Sequence, residues 1–204
     1  TLNHRAMRKE LEVSAVSIHA YPEIAENYAL MNCGASMGEG YGPMIVAKQG
    51  VSEEVAKSNP IAVPGLKTSA YLGIRLCWGD LQYEVVPFDE IIPRILDDTY
   101  KSGLIIHEGQ LTYVDHDLNV LENLGIWWNE KTGGLPMPLG GNVVRRDLGD
   151  KMMEDITMYT KMSIEHSIEN PDVALEFAKK WGRGIDDETN REFVTMYVNE
   201  RTID

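Results

Sequence analysis

The residues best suited to chemistry at neutral pH are one imidazole, a pair of hydroxyls and a glycine-rich loop. His107 ends the apolar run SGLIIH, residues 102–107. An imidazole titrates near neutral pH, which makes His107 the strongest candidate for a general base. A structural histidine bonded to a nearby backbone carbonyl is the competing reading. Residues 64–71, PGLKTSAY, put Thr68 and Ser69 where a strand turns into a helix. Exposed N–H groups and the positive end of a helix dipole suit a carboxylate or phosphate there. The same hydroxyls also serve as caps for their own helix. GxxxxGK[ST] is absent, so the turn is not a P-loop.

The segment SMGEGYGP, residues 36–43, can set several backbone N–H groups against an anion. That brings Ser36 and Gly38 into the candidate substrate-binding set. A tight crossing between lobes, which needs a permissive backbone, explains the same glycines, and the hinge is the favoured reading. Ser17 and His19 follow the first strand and can face the same cleft; Ser17 joins the set, while His19 reads equally as a helix-start residue with no chemical task. Trp127-Trp128 offers either an aromatic wall for a pocket or a cover for core surface. Asp115-His116-Asp117 is too common a pattern to mark a metal, and Cys33 and Cys77 lack companion histidine spacing. No metal is expected.

These groups must be held by a framework, and bulk properties bound what it can be. The chain has 204 residues, 43% hydrophobic and 25% charged, as in an ordinary globular protein. Its net charge of −13, without a basic cluster, would be repelled by a phosphate backbone. Nucleic acid is not an expected partner. No apolar run approaches the roughly 20 residues of a membrane span, so no membrane partner is expected either. Two widely separated cysteines favour a reduced, cytoplasmic setting over a disulfide framework. The sequence does not indicate an oligomeric state.

Strand-like runs at Val13–Ile18, Leu30–Asn32, Met44–Lys48, Ile61–Val63, Tyr83–Pro87, Ser102–His107, Val120–Leu124 and Gly141–Arg145 alternate with helical stretches. Helices are expected at Pro22–Tyr28, Thr68–Trp78 and Asp89–Asp97, the last capped by Asp89. Three more follow, at Asp150–Ile168, at Pro171–Trp181 capped by Asn170, and at Asp186–Val198. The alternation predicts an α/β fold with mostly parallel sheets. Two lobes are expected, 1–45 with 140–204 and 46–139. An inter-lobe cleft would take a small anionic organic ligand, and ligands in such sheets sit beyond the strands' carboxyl ends.

Several longer motifs together resemble a known family. SMGEGYGPMIVA, AVPGLKTSAYL, PFDEIIPRIL, SGLIIHEGQLTY, LGIWWNEKTGGLPMPLGG and MYVNERTID look like 1,4-dihydroxy-6-naphthoate synthase, in order and with similar spacing from Thr1 to Asp204. The resemblance implies a two-lobed, periplasmic-binding-protein-like fold of type II. It implies a carbon–carbon lyase of menaquinone biosynthesis, on the futalosine route, that needs neither metal nor organic cofactor. Its substrate would be cyclic dehypoxanthinyl futalosine, released as the dihydroxynaphthoate and a sugar-derived fragment. The family's catalytic histidine falls on His107, and the hydroxyl pair beside the substrate carboxylate falls on Thr68 and Ser69. Against the family pattern, both ends are expected to be truncated, with an N-terminal strand and a PxPND-type loop missing. Two other readings of the fold are a non-catalytic solute-binding protein for a small carboxylate and the sibling enzyme that dehydrates a chorismate-like acid. The GLIIHE segment argues against the sibling.

Overall fold

The computed structural model describes residues 1–107, 109–180, 187–198 and 200–203. The chain opens with α1 (Leu2–Met7), β1 (Val13–Ser17), α2 (Tyr21–Ile24), β2 (Tyr28–Leu30) and β3 (Ser36–Gly38). Next come β4 (Met44–Lys48), α3 (Glu53–Lys57), β5 (Ile61–Val63), α4 (Ser69–Trp78) and β6 (Tyr83–Val85). The middle continues with α5 (Ile91–Leu96), β7 (Ser102–Ile105), α6 (Gly109–Thr112), β8 (Leu118–Asn123) and α7 (Leu124–Thr132). β9 (Met137–Arg145), α8 (Asp150–Glu169), α9 (Pro171–Lys179), α10 (Asp187–Tyr197) and α11 (Glu200–Ile203) complete it.

Two compact units result: Thr1–Met37 with Pro138–Asp204, and Gly38–Met137. A division after residue 45, as expected from sequence, would cut β4. That strand pairs with both β7 and β8, so the break comes earlier, at 37/38, and the return at 137/138.

In the first unit β9 is the central strand, antiparallel to β1 on one side and β2 on the other, with β3 also beside it. Successive strand residues face opposite ways. Val143 therefore packs with Ala6, Val16, Ile24 and Tyr28, while Val144 packs with Met31 and Cys33 under Met153, Ile156 and Ile164 of α8. The helix expected at Pro22–Tyr28 shrinks to the single turn α2. Fully buried Tyr28 pairs with Arg145 in β2 and donates its hydroxyl to the Leu11 carbonyl at 2.6 Å.

The second unit holds a five-stranded sheet in the order β6-β5-β7-β4-β8. β5 is parallel to β6 and to β7, whereas β4 runs antiparallel to both of its neighbours. The α/β class is as expected, but the sheets are mixed rather than mostly parallel. Strands β5 and β7 are buried along their whole length, as their near-continuous apolar sequences require. Val46, Ala62, Val86, Ile91, Ile95, Ile105 and Leu118 form the core against α5. Burying each larger aliphatic side chain contributes roughly 1.5–3 kcal/mol. Gly103 lets α5 close on β7, since a Cβ there would meet Ile91 Cγ2 at 2.4 Å.

Some helix ends differ from expectation. Asp89 lies inside a 3₁₀ turn, Phe88–Glu90, and Glu90 takes the N-cap position of α5 without a side-chain bond. Asn170 does precede α9, but its side-chain nitrogen donates backward to the His166 carbonyl at 2.9 Å instead of capping. Trp181 and Asp186, the expected end of one helix and start of the next, lie outside the described residues. No helix among the described residues is long and apolar enough to cross a membrane.

Candidate active site

In the second unit, four strands deliver their following loops to one edge of the sheet. β5, β6 and β7 are mutually parallel, and β8 runs the same way because both it and β7 oppose β4. Adjacent strands lie about 4.8 Å apart. The turns that follow β5 and β7 are therefore neighbours at the carboxyl edge, where α/β sheets present ligand-binding groups.

After β5 the chain turns through Gly65, whose φ of 152° strains any side chain, and enters α4. Thr68 is the N-cap of α4. Its Oγ1 accepts from Tyr71 N at 3.1 Å and donates to the Gly65 carbonyl at 2.8 Å. The hydroxyl thus locks the turn, and its proton is committed to Gly65. Ser69 is buried at the first helical position. An anion at this junction would be met by backbone N–H groups of the first turn and the helix dipole, with Thr68 holding their geometry.

After β7, His107 is exposed and sits in the left-handed region with φ 56°. Few non-glycine residues adopt that region, though histidine does so more readily than bulky or branched ones. Gln110 N donates to the His107 carbonyl at 3.1 Å, closing the turn, and Gln110 itself is buried. The Phe88 ring meets the imidazole edge to face, with centroids 5.0 Å apart and planes at 65°. Glu108 of the GLIIHE motif lies outside the described residues.

The same edge carries the start of α7. Asn123 Oδ1 accepts from Gly125 N at 3.0 Å and from Ile126 N at 3.2 Å. Here the Tyr41–Gly42 backbone presses on the helix so closely that a Cβ on Gly125 would fall 2.1 Å from the Tyr41 carbonyl. Part of the glycine-rich segment is therefore built for backbone contact with α7. Trp128 donates its indole N–H to the Pro136 carbonyl at 3.1 Å, and both tryptophans are half-buried. The Cys77 thiol on α4 is pushed up to about 12, first by burial and then by Glu122. It stays protonated at neutral pH and offers no thiolate nucleophile.

The structure thus brings His107, Thr68 and Ser69 to one edge of one sheet. Ser17 and Ser36 gather elsewhere, in the first unit. Ser17 pairs with Gly140 across β1 and β9, and a Cβ on Gly140 would lie 3.1 Å from Ser36 Oγ. Asn3 engages Ser17 twice, donating to its Oγ at 3.0 Å and accepting from its N at 2.9 Å. Gly38 is buried at the end of β3, so residues 36–38 form a paired strand where a crossing loop was expected. Phe88 was not singled out from the sequence. Its place directly after a strand parallel to β5 was the available signal.

The whole chain, residues 1–204, matches the model of a family described as Menaquinone biosynthesis. The chain belongs to that family. Two curated relatives carry the name 1,4-dihydroxy-6-naphthoate synthase. That of Thermus thermophilus is 32% identical over all of this chain and 74% of its own length. That of Streptomyces coelicolor is 31% identical over 99% and 73%. The resemblance read from the motifs is borne out, and the chain is an enzyme of menaquinone biosynthesis. Among solved structures, an Archaeoglobus fulgidus protein shares 43% identity and a TM-score of 0.93, covering all of this chain and 75% of that one. A Candida albicans protein described as having the generic periplasmic binding protein fold aligns with a TM-score of 0.68 at 11% identity, over 95% and 66%. At that identity the likeness shows the fold alone, which is periplasmic-binding-protein-like.

Proposed function

We propose that this family member is a cytoplasmic carbon–carbon lyase that converts cyclic dehypoxanthinyl futalosine to 1,4-dihydroxy-6-naphthoate, with His107 as general base. The observation that carries the reading is the shared carboxyl edge: an exposed imidazole in a left-handed turn after β7, beside the capped α4 junction after parallel β5. The relatives' names support the product; the substrate and the carbon–carbon cleavage follow from the family resemblance read in the motifs. The imidazole takes a proton from the substrate, and the electron pair released drives cleavage of the bond to the sugar-derived fragment. The Thr68–Ser69 junction orients the substrate by its carboxylate.

His107→Asn is the informative substitution, because asparagine tolerates φ > 0 and leaves the turn intact. General-base assistance is worth about 10²–10⁴-fold. Product formation by His107→Asn should fall by that factor while calorimetry still detects substrate binding. Normal turnover by the variant would remove His107 as the base. A wild-type protein that binds the substrate without converting it would instead favour a solute-binding role, which the same fold also serves.

A further inference from the structure

We infer that Phe88 is a positioning residue for His107, the ring that selects the imidazole's working orientation; this rests on the reading of His107 as the base. His107 is exposed, and its turn is closed through its own carbonyl. Backbone geometry therefore leaves the side-chain torsions of this histidine to its neighbours. Phe88 is suited to set them. It belongs to the turn after β6 that leads directly into α5, the helix packed on β7.

Phe88 is itself anchored. It packs on the core cluster that contains Val86, Ile91, Ile95 and Ile105, so the ring is half-buried with one side fixed. Ile105 lies two residues before His107, which ties both partners to the same core. The 5.0 Å separation and 65° tilt match the preferred edge-to-face geometry of aromatic pairs. An imidazole docked against a fixed ring occupies fewer orientations than the same imidazole with that ring removed. Since general-base catalysis requires the nitrogen within hydrogen-bond reach of the proton it takes, restricting the ring acts on turnover more than on binding.

The test compares Phe88→Leu, which refills the core without a ring, with Phe88→Tyr, which keeps one. The Leu variant should lose about tenfold in kcat, equivalent to about 1.4 kcal/mol, with KM for cyclic dehypoxanthinyl futalosine within about twofold. Phe88→Tyr should recover most of that loss. Equal kcat for wild type and Leu, or parallel losses in Leu and Tyr that follow Tm, would overturn the role. A readout independent of turnover is the NMR shift of the His107 ring protons, assigned with His107→Asn. Ring-current displacement should be present in wild type and Tyr and lost in Leu. If wild type fails to convert the substrate, the lyase reading falls. The ring-proton shifts then decide the Phe88–His107 pairing alone, and an unchanged shift in Leu refutes it.

Discussion

The two ends of β7 each carry a non-glycine residue in the left-handed region, and they serve different purposes. At the amino end, Asp98 has φ 65° and is exposed; Lys48 donates to it at 2.8 Å, and Lys101 stands 3.6 Å away. At the carboxyl end, His107 has φ 56° and faces Phe88. A left-handed residue costs roughly 1–2 kcal/mol unless its side chain suits that conformation. The strain alone therefore marks no site, since both ends tolerate it. What separates them is the company: lysine ammoniums at one end, and at the other a fixed aromatic ring beside a capped helix start. A perturbed backbone becomes a functional clue only when its neighbours are chemically useful.

The edges also differ in how tightly they are built, and the largest expected effect tests this. At the carboxyl edge, Gly125→Ala drives a methyl into the Tyr41 carbonyl, which is backbone and cannot swing aside. We expect a loss of about 3 kcal/mol or more in urea unfolding. Gly50, in the turn after β4 at the amino edge, has φ 83°, and a methyl group added there would meet nothing within 4 Å. Gly50→Ala should cost only about 1 kcal/mol, through the backbone alone. Similar losses at the two glycines would erase the contrast in crowding.

That contrast shows what could be read from residue types and what could not. The apolar run before His107 marked a strand covered on both faces, and β7 is buried at all four positions. Thr68 before an apolar-periodic helix marked an N-cap, and its hydroxyl does accept from Tyr71 N. Local patterns of this kind are set by a residue and its near neighbours. The left-handed turn at His107 has no such signature, because no glycine marks it. The approach of Phe88 depends on the packing of α5 on β7, a tertiary fact. Likewise β3 is a strand only because β9 lies beside it, and the direction of β4 follows from its partners rather than from its own residues. Thr68 also carries a subtler point: type alone left capping and ligand-binding open, and the bond to Gly65 shows the hydroxyl committed to the turn.

A middle-sized effect is expected at Ser102, the first residue of β7. Its Oγ is fully buried and has no hydrogen-bond partner among the described residues. An unpaired buried hydroxyl is a standing penalty, so removing it should help. Ser102→Ala is expected to raise stability by about 1 kcal/mol, seen as a higher urea midpoint with an unchanged slope. A clear loss of stability would mean that the hydroxyl has a partner in solution, and that the amino edge is as fully satisfied as the carboxyl edge.

The smallest effect makes the comparison of the two left-handed residues direct, by giving Asp98 the same substitution as His107. Asparagine keeps the left-handed conformation accessible, so Asp98→Asn removes only the charge. The Lys48 ammonium, through its hydrogen bond and its charge, holds the Asp98 carboxyl below its ordinary value. A folded-state value lower than the unfolded one, about 3.9, gives stability that is present above that pH and is lost as pH falls through the folded value. Wild type should therefore melt slightly above Asp98→Asn at pH 7, and the two should converge as pH falls through the folded-state value. High salt should narrow the gap as well, since the pair is exposed. A gap that widened toward acid would contradict the ion-pair account of Asp98. Turnover by Asp98→Asn should match wild type. A large loss there would show that the two ends of β7 are coupled, and that chemistry at the carboxyl edge depends on more than the groups gathered at it.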